Sequence, residues 1–256
     1  MARMICDFVS STLRISTSMT VLMPQSTAPG NAGTGESGKG VPVLYLLHGL
    51  TDDDSMWTRN TSIERYASER GIAVVMPQAA HSFYADEAQG LPYWTFLTQE
   101  LPELVSSFFR VSTVREDTFV AGLSMGGYGA LKWALHEPHR FAFAASLSGV
   151  TALDGTAPDG DPWVQGILDR VFGGNTFAGT GNDLLHLLET VTPAELPQLL
   201  VTCGTGDFLY PQNVRFVEAA RHLGIDPQVD FGPGDHDWGY WDSGIQQVID
   251  LLPIPR

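Results

Sequence analysis

Phe119-Val-Ala-Gly-Leu-Ser-Met-Gly-Gly-Tyr-Gly-Ala-Leu131 is the stretch on which the reading of this chain turns. An apolar run with strand character, Phe119 to Leu123, stops abruptly at Ser124, and a helix-compatible run begins by Ala130. Gly122, Ser124 and Gly126 make the pattern G-x-S-x-G, which places a serine on a sharp strand-to-helix turn at the top of a sheet. A Cβ at either flanking glycine would strike the neighbouring strand or helix, and the serine backbone itself is expected to be strained. A nucleophile so placed needs a base, an acid and oxyanion donors from elsewhere in the chain.

Working outward, 256 residues with 43% hydrophobic content can bury a full-sized core, and one α/β domain spanning 1–256 is expected. Lys and Arg number 14 against 29 Asp and Glu, a formal net charge of −15. So acidic a surface repels phosphate backbones and anionic lipid, which argues against nucleic-acid and membrane partners and leaves room for a homo-oligomer. The two cysteines make no disulfide framework. Arg3, Asp7 and Arg14 interrupt the apolar residues of the N-terminal stretch, and no run is long enough to span a bilayer, so a cytoplasmic location is expected.

Residues 4 to 23 read as two antiparallel strands at a sheet edge, followed by a Gly/Ser/Thr-rich flexible loop at about 25–40. Gly33 to Lys39 satisfies both phosphate-loop patterns, but the buried strand Val41–Leu47 comes after the glycines instead of before them, which disfavours nucleotide binding. Further strands are expected at Ile72–Met76, Phe141–Leu147, Leu199–Cys203 and Gln228–Phe231. Helices are expected from a Thr61–Glu64 capping box to Arg70, over Leu97–Phe108 with a kink at Pro102, over Asn213–Leu223, and from Trp241 onward. Such alternation gives a mostly parallel sheet with helices on both faces. The strandless stretch at about 149–197 reads as a cap-like insertion over the top of that sheet.

Parallel sheets carry reactive residues on loops just past the carboxyl ends of strands, which filters seven histidines. His236, in Gly232-Pro-Gly-Asp-His-Asp-Trp238, follows the last strand and is the candidate base; Asp207, past the Leu199–Cys203 strand, is the candidate acid. Asp235 and Asp237 are its rivals, less able to turn back onto a neighbouring imidazole. Oxyanion donors are expected from the backbone N–H groups of Met125, at a helix N-terminus, and Leu50, after His48-Gly49. Asp52, Asp53 and Asp54 read as a solvated loop, with no metal and no cofactor implied.

These pieces resemble the esterase family of α/β-hydrolases that includes esterase D (S-formylglutathione hydrolase), tributyrin-type and feruloyl esterases, and mycolyltransferases. The resemblance runs from Leu46-Leu-His-Gly-Leu50 through Ala121-Gly-Leu-Ser-Met-Gly-Gly-Tyr-Gly-Ala130, Ser146–Gly149 and Cys203–Asp207 to Gly234–Trp238. It implies an α/β-hydrolase fold, the triad Ser124, Asp207 and His236 with Leu50 and Met125 as oxyanion donors, and a small-molecule ester substrate. Its tributyrin/feruloyl branch is nearest, through Ser82–Asp86, Tyr93-Trp94 and Phe208–Pro211. The resulting expectation is a serine carboxylesterase for short-chain or hydroxycinnamoyl esters. Trp57, Phe83, Tyr84, Trp94, Trp163 and Phe208 are the candidate pocket lining, alongside Phe177 in the cap. Alternatives are an S-formylglutathione hydrolase-like thioesterase, an acyltransferase, and a non-catalytic binding protein on the same fold.

Overall fold

A computed structural model describes residues 1–25, 40–153, 155–157, 160–174 and 178–254. Strands β1 (Ala2–Val9) and β2 (Ser16–Met23) are followed by β3 (Val43–Leu47) and helices α1 (Met56–Asn60) and α2 (Ile63–Arg70). Strand β4 (Ala73–Pro77) precedes α3 (Tyr93–Thr95) and α4 (Leu101–Phe108), which are joined by a π-helical stretch, Phe96–Glu100. Next come β5 (Thr118–Leu123), α5 (Met125–His136), β6 (Phe143–Leu147), α6 (Pro162–Phe172) and α7 (Leu184–Thr190). The last elements are β7 (Gln198–Gly204), α8 (Tyr210–His222), β8 (Gln228–Gly232) and α9 (Trp238–Leu251).

Among the described residues the strands form one eight-stranded sheet, ordered β1-β2-β4-β3-β5-β6-β7-β8. The β1/β2 and β2/β4 pairs are antiparallel, and every other pair is parallel. Strands β3 to β6 are buried at every position, as helices on both faces require. The pleat sorts alternate side chains into two cores. Val43, Tyr45, Leu47, Val120 and Ala144 meet α4, α5 and α8; Leu44, Leu46, Phe119, Ala121 and Phe143 meet α2 and α9. The turns after β3, β5, β7 and β8 therefore emerge at one end of the sheet, where the candidate residues lie.

Three local expectations shift. Strand β3 begins at Val43, because Pro42 has no N–H for a ladder; Val41 instead bridges to Val111. The kink expected at Pro102 is a π-helical widening over Phe96–Glu100, just before α4, and Pro102 sits in the first turn of α4. The proline ring crowds the carbonyl four residues back, and widening the coil there relieves the clash. The Thr61–Glu64 capping box is replaced by a long-range partner: the Ser62 N–H donates to Asp242 Oδ1 at 2.8 Å, and Thr61 Oγ1 accepts from Ile63 N at 3.3 Å.

No strand lies in the described part of residues 149–197. Helix α6 rests on the loop after β4, through Ala88 N–H to Val171 O at 2.8 Å and an Arg170–Glu87 ion pair at 3.0 Å. Helix α7 packs on α5 and α8. The Gly33–Lys39 pattern and Phe177 fall outside the described residues. No helix among the described residues is long and apolar enough to cross a membrane.

Candidate active site

Ser124 alone makes the turn between β5 and α5, at φ 51° and ψ −116°. That left-handed backbone costs on the order of 1–3 kcal/mol for a residue with a side chain. Its surroundings hold it there: Ser124 N–H donates to Leu147 O at 2.9 Å, and its carbonyl accepts from Tyr128 N at 3.1 Å and Val150 N at 3.2 Å. A Cβ at Gly122 would strike the Gly126 carbonyl, and one at Gly126 would strike the Leu47 carbonyl, so both positions are closed to larger residues.

The structure brings three of the sequence candidates together. His236 Nε2 lies 3.1 Å from Ser124 Oγ, and His236 Nδ1 lies 2.8 Å from Asp207 Oδ2. Asp207 is enclosed, and its other carboxylate oxygen accepts from Leu209 N–H at 2.8 Å. Burial pushes its carboxyl upward, but the bonds from His236 and Leu209 outweigh that and leave it below its ordinary value. The rivals are spent elsewhere: Asp237 caps α9 by accepting from Tyr240 N at 3.0 Å, and Asp235 is exposed.

The candidate oxyanion donors come from adjacent strands, since β3 pairs with β5 through Leu47 and Gly122. Met125 opens α5, where the first N–H groups have no intrahelical acceptor and favour an anion. Leu50 N–H has no acceptor among the described residues. The preceding residues are tied down: His48 Nδ1 bonds Gly49 O at 2.7 Å, and its Nε2 accepts from Ala79 N–H at 3.0 Å. That bonding fixes the His48 ring as a neutral tautomer with its proton on Nδ1, and burial pushes its pKa down accordingly. The sequence reading used His48 only to locate the loop and missed its side chain.

The aromatic candidates divide sharply. Trp57 and Tyr84 are completely enclosed and Phe83 nearly so, so none of these three pocket candidates has an exposed face. Trp57 donates to Leu47 O at 3.1 Å, Tyr84 donates to His48 O at 2.9 Å, and Phe83 packs on Tyr128 and Phe172. Trp94 covers the Lys132 ammonium at 4.3 Å and meets His136 at 5.1 Å. At about 1.5 Å rise per residue, those partners lie roughly 12–18 Å along α5 from Ser124. Two candidates keep exposed faces. Phe208 is 58% exposed with its ring 4.7 Å from that of His236; Trp163 is 50% exposed and stands edge-on to His81.

The apolar spacing that marks Trp241 as part of the last helix does not show that its ring stands 4.8 Å from that of His236, edge-to-face. Behind it, Trp238 and then Trp57 continue a chain of edge-to-face rings at 5.2 and 5.4 Å. Two tryptophans within five residues of the histidine were the available signal. The three aspartates after the His-Gly turn also differ from a solvated loop. Asp52 accepts from Gly49 N at 3.0 Å and Asp53 from Ser55 at 2.6 and 2.8 Å, while Asp54 accepts from Ser18 and Thr20 at 3.0 and 2.7 Å. Each is a fastener to a different partner.

Sheet order, turn geometry and the Ser124–His236–Asp207 contacts together define the class, a serine hydrolase on the α/β-hydrolase fold. Residues 10–250 match the family described as "Putative esterase", and the chain belongs to that family. It is 28% identical to an acetyl esterase of Caldicellulosiruptor saccharolyticus, over 98% of both chains. The structure of fluorophosphonate-binding serine hydrolase F (FphF) of Staphylococcus aureus superposes with a TM-score of 0.90 at 34% identity, covering 99% of both chains. An S-formylglutathione hydrolase (FrmB) structure, also from Staphylococcus aureus, gives 0.86 at 34% identity and 99% coverage of each.

Proposed function

We propose that the chain is a carboxylesterase acting on short-chain acyl esters through an acyl-enzyme on Ser124. The observation that carries this reading is the unbroken relay Asp207–His236–Ser124, at 2.8 and 3.1 Å, on a serine held at φ 51°. His236 takes the Ser124 proton as Oγ attacks the ester carbonyl, and the Leu50 and Met125 N–H groups hold the resulting oxyanion. The tetrahedral intermediate expels the alcohol, which leaves with the proton from His236. Water, deprotonated by the same imidazole, then releases the carboxylic acid and restores the serine. Asp207 keeps the ring in the tautomer that accepts at Nε2. Residues 149–197 act as the cap, with α6 seated on the loop after β4.

Small acyl groups are favoured because four of the six candidate aromatics belong to the framework, leaving Phe208 and Trp163 with free faces. The relative named acetyl esterase supports the same choice. The S-formylglutathione hydrolase at 34% identity favours a second reading, a thioesterase using the same residues. A fluorophosphonate probe should label the wild-type protein, and Ser124→Ala should abolish labelling and lower kcat by about 10³-fold or more. Persistent labelling or near wild-type turnover in the variant overturns the assignment. Comparing p-nitrophenyl butyrate, methyl ferulate and an acyl-glutathione thioester fixes the substrate: turnover of the butyrate is expected to dominate, and dominance of either other substrate overturns the short-chain choice.

A further inference from the structure

Strand β1 ends the sheet, pairing only with β2, and its outer edge carries an alternation of Arg3, Ile5, Asp7 and Val9. Ile5 is 65% exposed and Val9 76% exposed, while Met4, Cys6 and Phe8 turn inward and Phe8 stacks on Phe96 at 6.2 Å. The direction of the main-chain groups follows from one bond. Ser10 N–H donates to Ile15 O at 3.0 Å, toward the β2 side of the hairpin, so the Val9 carbonyl in the same trans peptide points away from it. Extended backbone alternates, and the β1/β2 register runs without a bulge from Ala2 to Val9. The N–H and C=O groups of Arg3, Ile5, Asp7 and Val9 therefore face the open edge.

Protein edges are ordinarily blunted by proline, by a bulge, by brevity or by charged side chains. Strand β1 is eight residues long with no proline and no bulge, and its two exposed charges, Arg3 and Asp7, are of opposite sign. At the other end of the sheet β8 is five residues long, with Asp230 at its centre and no exposed large apolar side chain. The outward residues of β1 are instead complementary to themselves. When the strand is laid antiparallel against its own copy with Ile5 opposite Ile5, Arg3 falls opposite Asp7 at both ends. Each of these residues then exchanges both main-chain hydrogen bonds with its partner. A slip of two residues puts Asp7 or Arg3 against Ile5 and loses both ion pairs.

We propose that two copies of this chain pair through β1 about a two-fold axis at Ile5, joining their sheets into one continuous sheet. The occupant is a second copy, because the charge pattern is matched by its own reversal. Each chain carries a net charge of −15, so long-range repulsion opposes association and the local Arg3–Asp7 pairs set the register.

Sedimentation of the full chain at micromolar concentration should give a dimer. Arg3→Asp and Asp7→Arg, each alone, should shift it to monomer with esterase activity retained, and the double exchange should restore the dimer. Cysteine placement reads the register directly in a Cys6→Ser background. Ile5→Cys should form an intersubunit disulfide on mild oxidation, since directly paired Cα atoms lie about 5.5 Å apart. Arg3→Cys should not, being four residues from its own copy. A monomeric wild type, a dimer indifferent to both single reversals, or equal cross-linking at positions 3 and 5 overturns the proposal.

Discussion

Two consecutive peptide planes after β3 are held before any substrate arrives. The His48–Gly49 plane is fixed by Tyr84 OH on its carbonyl, at 2.9 Å, and by its N–H on Asp52, at 3.0 Å. The Gly49–Leu50 plane is fixed by the His48 ring on the Gly49 carbonyl at 2.7 Å. In a trans peptide C=O and N–H point in opposite directions, so the Leu50 N–H is turned away from the His48 ring. His48 is therefore a positioning residue for the proposed oxyanion site. His48→Ala should lower kcat for a p-nitrophenyl ester by roughly 10- to 100-fold, less than outright loss of an oxyanion donor, with a much smaller change in KM. Steady-state kinetics beside a thermal melt check this; a fall in stability with kcat intact would reduce His48 to a framework residue.

Among the elements, the π-helical stretch before α4 does more than accommodate Pro102. It ends at Glu100, whose carboxylate takes bonds from Ser10 Oγ, Ser11 N, Ser11 Oγ and Thr12 N at 2.6 to 3.0 Å, clasping the β1–β2 turn. Burial raises the Glu100 pKa, but these bonds outweigh it and bring the value from 4.5 down to about 2. Because the folded pKa lies below the unfolded one, the stabilisation is fully present above 4.5 and is lost as pH falls toward 2. The site is partly solvated, so the shift is discounted, and Glu100→Gln should cost about 1–2 kcal/mol at neutral pH. Urea midpoints of wild type and variant should converge as pH drops from about 5 toward 3. A gap that is constant with pH would show that the charge is not what matters.

Across the whole molecule, the core that meets α2 and α9 depends on joining the last helix to the first third of the chain. Asp242 in α9 accepts from Ser62 N–H at 2.8 Å and from Tyr66 OH at 3.2 Å, and Arg70 donates to the Leu252 and Ile254 carbonyls at 2.9 and 2.8 Å. The same α9 carries Trp241, whose ring meets that of His236 at 4.8 Å, so this seam connects packing to the base. Asp242→Ala strips a partner from the start of α2 and should cost about 1–3 kcal/mol. Chemical denaturation should show that loss, while specific activity per folded molecule stays near wild type. A lower activity without a stability change would mean that the seam acts on His236 directly.

Sequence alone determined the local chemistry of this protein. An apolar run broken by Gly122-x-Ser124-x-Gly126 can be satisfied by few backbones, and the order Ser124, Asp207, His236 after strand ends restricts which residues can meet. Continuous apolar runs likewise marked the parallel strands, since sheets covered on both faces call for them. Tertiary structure decided everything that depends on what stands opposite. Periodicity says that Trp57 or Tyr84 is apolar-facing, but not whether it faces a pocket or Leu47 and His48. It also could not say that Asp52, Asp53 and Asp54 reach three different partners, or that Glu100 clasps a turn about ninety residues away. Those contacts join segments far apart in the chain, and a one-dimensional pattern records the burial of a side chain without recording its neighbour.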